Sequence, residues 1–136
     1  MTGQNRSILS ALLDMGQALM QNGSEINRVE DTLCRMAHAF GCTNVNVFAI
    51  SNNIILTVSM PDGETETMTR RILGGNSTNY RALEELNELS RAFCAEPTGP
   101  SELVNKIAEI KSAGVNRLKS YIGSALVGGS GALFFG

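Results

Sequence analysis

A short break between two helical patterns is the feature that most constrains how this chain folds. Apolar residues recur at helical spacing before Asn22 and again after Ser24. Asn22 and Gly23 tolerate positive φ and are expected to end the first helix. Ser24 is then expected to N-cap the second helix, with Glu25 in its first turn. The sequence therefore predicts a helix–turn–helix corner over residues 22–32, with polar side chains gathered at the turn.

Hydropathy patterning predicts an α+β fold: two N-terminal helices, a three-stranded antiparallel meander, two further helices and then the start of a transmembrane helix. Turn residues at positions 52–53 and 61–63 join the strands. Gly16, inside the first helix, predicts that a neighbouring helix approaches closely there. The predicted elements are helices 7–21 and 24–40, strands 44–51, 54–60 and 64–72, and helices 79–94 and 101–114.

Charge and aromatic content narrow the class of partner. The chain has 11 basic and 13 acidic residues, a net charge of −2, and only 5% aromatic residues. Because a nucleic-acid-binding domain normally carries a basic surface and stacking aromatics, no nucleic-acid partner is expected. The three cysteines, Cys34, Cys42 and Cys94, lack a CxxC spacing and predict neither a disulfide framework nor a zinc site. They are expected to be reduced, buried or half-buried thiols, and no metal or cofactor is expected.

The C-terminal run over residues 121–136 contains no charged residue and mixes Gly and Ser with Leu, Val and Phe. This texture is typical of closely packed membrane helices. As a helix, the run would span about 24 Å, less than the roughly 30 Å of a bilayer core. A buried core helix is the alternative, but glycine-rich segments form poor helices in water. We therefore predict a domain over residues 1–119 and the truncated beginning of a first transmembrane segment over residues 120–136.

The predicted corner holds the densest group of charges in the chain. Glu25 and Arg28 are spaced i,i+3, and Glu30 and Asp31 follow one turn later. One interpretation is that these four residues are caps and surface ion pairs, with Asp31 paired to Arg35. The other is that they bind a charged substrate or gate a neighbouring domain.

No catalytic motif is present, because the chain lacks a P-loop, a GxSxG elbow and an HExxH pair. A single histidine, His38, lies four residues after Cys34, and this spacing alone is weak evidence for a nucleophile pair. No catalytic residue is assigned. The alternative to a binding function is a soluble hydrolase-like enzyme that uses Glu25, Glu30 or Asp31 with His38.

Several short motifs occur in a fixed order along residues 12–133. They comprise Gly23, Ser24, Glu25, Arg28, Val29, Glu30 and Thr32 at the corner, then Val47, Phe48, Ile54, Ile55 and Leu56, and finally residues 69–72 and 87–91. This ordered set resembles the N-terminal domain of the bacterial threonine/serine exporter family, of the ThrE/YjjP type. In the family pattern, a Gly-Ala/Ser-Glu corner ends the first helix and Arg-Val-Glu-x-Thr opens the second.

The resemblance implies a non-enzymatic cytoplasmic α+β domain ahead of membrane helices that export small amino acids or dicarboxylates across the bacterial inner membrane by secondary transport. The chain ends within the first hydrophobic segment, so we expect it to gate or assemble the membrane part and not to transport alone. Its expected partners are the remaining membrane helices or a partner membrane subunit, and a homo-oligomer is compatible with this. Lys111, Arg117 and Lys119 before the apolar run favour a cytoplasmic domain.

Overall fold

Four helices and a three-stranded antiparallel sheet make up the described part of the chain, residues 3–74 and 78–113, in a computed structural model. The sheet order is β1-β2-β3, so the predicted α+β fold and meander are confirmed. The elements are α1 (Gly3–Gln21), α2 (Ile26–Ala39), β1 (Thr43–Ile50), β2 (Asn53–Ser59), β3 (Thr65–Arg71), α3 (Tyr80–Ala95) and α4 (residues 100–113).

Helix α1 lies at the centre of the described fold. Apolar side chains cover most of its circumference, and a helix that is apolar all round is buried by its neighbours. It packs on β2 and β3, while α2 packs on β1 beside it, so both helices cover one face of the sheet. Helix α3 packs against α1 and α2 on the side away from the sheet. The largest fully buried side chains are Leu9, Leu12, Leu13, Met15, Leu19, Val29, Leu33, Met36, Ile54, Leu56, Leu86 and Leu103.

Gly16 marks a close approach of α2 and β2 to α1. A Cβ atom at this position would lie 2.9 Å from Cδ1 of Leu33 on α2 and 2.7 Å from Cδ1 of Ile54 on β2. Real Cβ atoms do not come this close to another heavy atom, so only glycine fits without a shift. The predicted close approach of a helix is confirmed, and β2 approaches the same position.

The three strands alternate between a buried and an exposed face, as their sequence pattern predicts. On β2, Ile54, Leu56 and Val58 point into the core. On the opposite face, Phe48 is 55% exposed and Ile55 is 37% exposed. The sheet therefore has one covered face and one partly apolar open face.

The predicted transmembrane start over residues 120–136, and the domain boundary before it, lie outside the described residues. Within the described ranges, none of the helices has both the length and the hydropathy needed to cross a bilayer.

Candidate functional site

The corner between α1 and α2 is built from backbone hydrogen bonds. The N–H of Gly23 donates to the carbonyl of Met20 at 3.2 Å, and the N–H of Ser24 donates to the carbonyl of Leu19 at 3.0 Å. This pair of bonds is a Schellman motif, which requires a left-handed residue just after the helix. Gly23 supplies it with a φ of 94°. The predicted end of the first helix is confirmed.

The predicted N-cap at Ser24 is wrong. Helix α2 begins at Ile26, and its N-cap is Glu25, whose side chain makes no capping hydrogen bond. The reason is that the N–H of Ser24 already closes α1, so its backbone belongs to the turn that ends the first helix. Helix α2 therefore starts one residue later than a Ser24 cap would allow.

The start of α3 is fastened to this corner. The N–H of Asn79 donates to the carbonyl of Asn22 at 3.1 Å, and the side chain of Asn79 accepts the N–H of Ala82 as the N-cap of α3. Thr78 packs so closely on Gly23 that a Cβ atom there would lie 2.7 Å from the Thr78 hydroxyl. The N-terminal ends of α2 and α3 therefore lie side by side.

A groove of about 440 Å³ opens between the corner and a stripe of α3 that extends from Tyr80 to Arg91. Its volume is within the range of small-molecule sites. The corner and α2 form one wall, and one stripe of α3 forms the other. The lining residues are Gly23, Ser24, Glu25, Arg28, Tyr80, Leu83, Glu84, Asn87 and Arg91.

The groove contains formal charges of both signs. Glu25 and Arg28 lie on the corner side, and Glu84 and Arg91 lie on α3. All four side chains are exposed. The ion pairs found among the described residues involve none of the four, including the expected i,i+3 pair of Glu25 with Arg28. The groove therefore presents guanidinium and carboxylate groups that are available to a ligand.

Glu30 faces a different part of the molecule. Residues two positions apart on a helix do not face each other, so Glu30 points away from Arg28. Its carboxylate accepts the backbone N–H of Ala49 on β1 at 2.9 Å. The structure therefore places Glu30 against the edge of the sheet and not in the groove.

Asp31 and His38 each have their own local partner. Asp31 forms the predicted i,i+4 ion pair with Arg35, and both side chains are more than 60% exposed. His38 donates from Nδ1 to the carbonyl of Cys42 at 3.1 Å. The residues of the hydrolase alternative, Glu25, Glu30, Asp31 and His38, are therefore not brought together in one site.

The three thiols are free and differ in exposure. Cys42 is buried, Cys34 is half-buried and Cys94 is exposed, so the expectation of buried or half-buried thiols is wrong for Cys94. Burial raises the pKa of the Cys42 thiol. Burial also raises the pKa of Cys94, and the nearby positive charge of Arg35 partly opposes this rise. In the described ranges, no three His, Cys, Asp or Glu side chains come together as metal ligands.

The sequence patterns did not predict the α3 side of the groove. Helical spacing places four residues on one stripe of α3: Tyr80, Glu84, Asn87 and Arg91. In the sequence, the charged residues of this stripe have the pattern of an ordinary solvent-exposed face. Tyr80, which its spacing places with the apolar residues of α3, is 80% exposed at the groove instead. The helical stripe was detectable, but its position opposite Arg28 depends on the packing of α3.

Comparison with known proteins agrees with the motif pattern. The ThrE family model, which describes a threonine/serine exporter, matches residues 10–136. The chain therefore belongs to the threonine/serine exporter family. No curated protein and no solved structure matches the chain.

Proposed function

We propose that this chain is the cytoplasmic N-terminal domain of a threonine/serine exporter, and that its groove binds the exported solute and gates the membrane part. The family match supports the link to export. The observation that carries the proposal is the groove itself, which is lined from two helices by Glu25, Arg28, Glu84 and Arg91. None of these four residues takes part in the ion pairs found among the described residues.

The charges of the groove suit a zwitterionic amino acid. The carboxylate of the ligand binds best to a guanidinium, which offers two parallel N–H donors. The ammonium group of the ligand binds to a carboxylate of Glu25 or Glu84. Asn87 adds an amide that can donate to or accept from a side-chain hydroxyl. A dicarboxylate would meet the same two guanidinium groups, those of Arg28 and Arg91, but would be repelled by the two glutamates.

The proposed orientation rests on charge patterning around the apolar run. Lys111, Arg117 and Lys119 precede residues 121–136, and no acidic residue follows Glu109. An excess of Lys and Arg beside a membrane segment favours the cytoplasmic side. We therefore assign residues 1–119 to the cytoplasm and residues 120–136 to the beginning of a membrane segment, with further membrane helices or a partner membrane subunit completing the transport path.

A ligand in the groove would act on the geometry of the domain. It would contact α2 and α3 at once and would draw their N-terminal ends together through opposite charges. Because α3 leads into α4 and the basic residues beyond it, this displacement would be passed toward the membrane part. The chain is thus proposed as a gate for the exporter and not as a transporter on its own.

Isothermal titration calorimetry of the 136-residue chain with L-threonine and L-serine tests the binding step. We expect saturable binding that weakens about 10-fold or more in Arg28→Gln and in Arg91→Gln, because a hydrogen bond to a charged group contributes about 1.5–3 kcal/mol. Arg81→Gln and Glu88→Gln are matched controls, since both residues are exposed on α3 and lie outside the groove lining.

Two outcomes would contradict this proposal. Equal affinity in Arg28→Gln and Arg81→Gln would show that the groove does not hold the ligand. Succinate binding that strengthens in Glu25→Gln, with no threonine binding, would assign the groove to dicarboxylates. The hydrolase alternative has no observation in its favour.

A further inference from the structure

The two edges of the sheet are protected to different extents. On β1, an extra residue near Asn44, whose φ is 47°, forms a bulge, and Glu30 accepts the outward N–H of Ala49. Bulges and covering side chains are devices that keep a sheet edge from pairing with another strand. Strand β3 carries the charged residues Glu66, Arg70 and Arg71 but has no bulge, proline or lysine, and its seven residues pair with β2 in unbroken register.

The outer edge of β3 has no backbone hydrogen-bond partner among the described residues, and we call it the free edge. It presents backbone groups at every second residue, as the edge of an antiparallel ladder must. The N–H of Ile72 donates to the carbonyl of Asn52 at 2.8 Å, which shows that even-numbered residues face β2. The odd-numbered residues therefore face outward. They are Thr65, Thr67, Thr69 and Arg71, and all four are exposed.

Two copies of β3 that run antiparallel have complementary side chains. In an antiparallel pair of two copies that continues one sheet, facing residues must point to the same face, so odd positions pair with odd positions. The register centred on Met68 is the one that uses all seven residues. It places Glu66 opposite the partner's Arg70, and Thr67 opposite the partner's Thr69. Opposite charges and threonine pairs directly across two strands stabilise a sheet.

The existing bonds of these side chains leave room for this pairing. Glu66 accepts from Nδ2 of Asn5 at 3.3 Å through Oε2, which leaves Oε1 for a partner across the edge. Arg70 donates from Nη1 to Asp14 at 2.8 Å and from the same atom to Gln17 at 2.8 Å. Its Nη2 and Nε groups remain available to a carboxylate across the edge.

Among the seven strand residues, only the register centred on Met68 sets opposite charges directly across the two strands, because a shift by two residues separates Glu66 from the partner's Arg70. A shift toward Thr67 would instead set Glu64, which lies before the strand, opposite the partner's Arg70.

We propose that the free edge of β3 is a homodimer interface, at which two copies join their sheets into one six-stranded antiparallel sheet about a two-fold axis at Met68. The contact lies on a different element from the groove and does not depend on ligand binding. Because the contact consists of a single strand pair, the dimer forms in a concentration-dependent way.

Disulfide cross-linking tests the register directly. In the full chain with Cys94→Ser, which removes the exposed thiol, Met68→Cys places two thiols across the axis. We expect mild oxidation to convert Met68→Cys to a covalent dimer several-fold faster than Thr65→Cys. Thr65→Cys is the matched control because it lies on the same strand and is more exposed than Met68, so random collision would favour it.

Cross-linking of Thr65→Cys as fast as Met68→Cys would overturn the proposed dimer, because contact through any other surface gives that result. A second measurement covers the case in which Met68→Cys does not fold. In sedimentation, we expect the mean mass to rise with concentration toward twice 14.5 kDa. Thr67→Pro, which removes an outward N–H, should lower the dimer fraction, and Thr67→Val should not. Equal dimer fractions in Thr67→Pro and Thr67→Val would also overturn the proposal.

Discussion

Glu30 and Asp31 are neighbouring acidic residues on α2, but the structure gives them different roles. Glu30 is half-buried and its carboxylate satisfies the N–H of Ala49 at the edge of β1. Asp31 is exposed and pairs with Arg35. A hydrogen bond to a charged group contributes more to stability than an exposed ion pair does. The two positions therefore allow a direct comparison.

We expect Glu30→Ala to lower the free energy of unfolding by about 1–2 kcal/mol, because the mutation leaves the N–H of Ala49 without its acceptor. Asp31→Ala should change it by less than about 0.5 kcal/mol, as is usual for an exposed i,i+4 pair. Urea denaturation followed by circular dichroism measures both values. Equal effects of the two mutations would contradict a structural role for Glu30.

The sequence suggests four corner residues as candidates for a site, but in the folded chain they face different elements. Their shared position on one short segment was visible in the sequence, and so was the i,i+4 pair of Asp31 with Arg35. Their directions were harder to assign, because Glu25 and Arg28 face α3 while Glu30 faces β1. Only the packing of α2 between these two elements decides which charges are free for a ligand.

At the scale of elements, the position of the helices and strands was largely predictable from hydropathy. Each strand lies within one residue of its predicted bounds, since alternation and turn residues fix strands locally. Helix α1 begins at Gly3, earlier than predicted, because Asn5 and Ile8 are both buried and extend the packed face. The actual N-cap of α2, Glu25, could not be predicted, because only the folded chain shows that the N–H of Ser24 closes α1.

The contact at Gly16 gives a prediction at this scale. Gly16→Val should lower the free energy of unfolding by about 1–3 kcal/mol, since the added side chain overlaps Leu33 and Ile54. Gly3→Val is the matched control, because Gly3 also lies in α1 and has no neighbour within 4 Å of an added Cβ atom. Thermal unfolding of both variants measures the difference. A loss in Gly3→Val as large as that in Gly16→Val would contradict the close packing of α1.

At the scale of the whole molecule, the groove is a product of the fold. The corner is local, but Glu84 and Arg91 line the groove because α3 packs on α1 and α2 and its start is bonded to the corner through Asn79 and Asn22. A charged helical stripe has the same sequence pattern whether it faces a ligand site or bulk water. The sequence therefore predicts the residues on the corner side of the groove but does not predict those on α3.

The central claim is that the groove controls export of the amino acid. It is tested most directly by threonine efflux from loaded cells that express an exporter containing this chain. With protein levels matched, we predict strongly reduced efflux in Arg28→Ala and Arg91→Ala, and unchanged efflux in the control Arg81→Ala, which lies on α3 outside the groove. An unchanged efflux rate in a folded Arg28→Ala variant would contradict the claim and would leave the corner with a structural role alone.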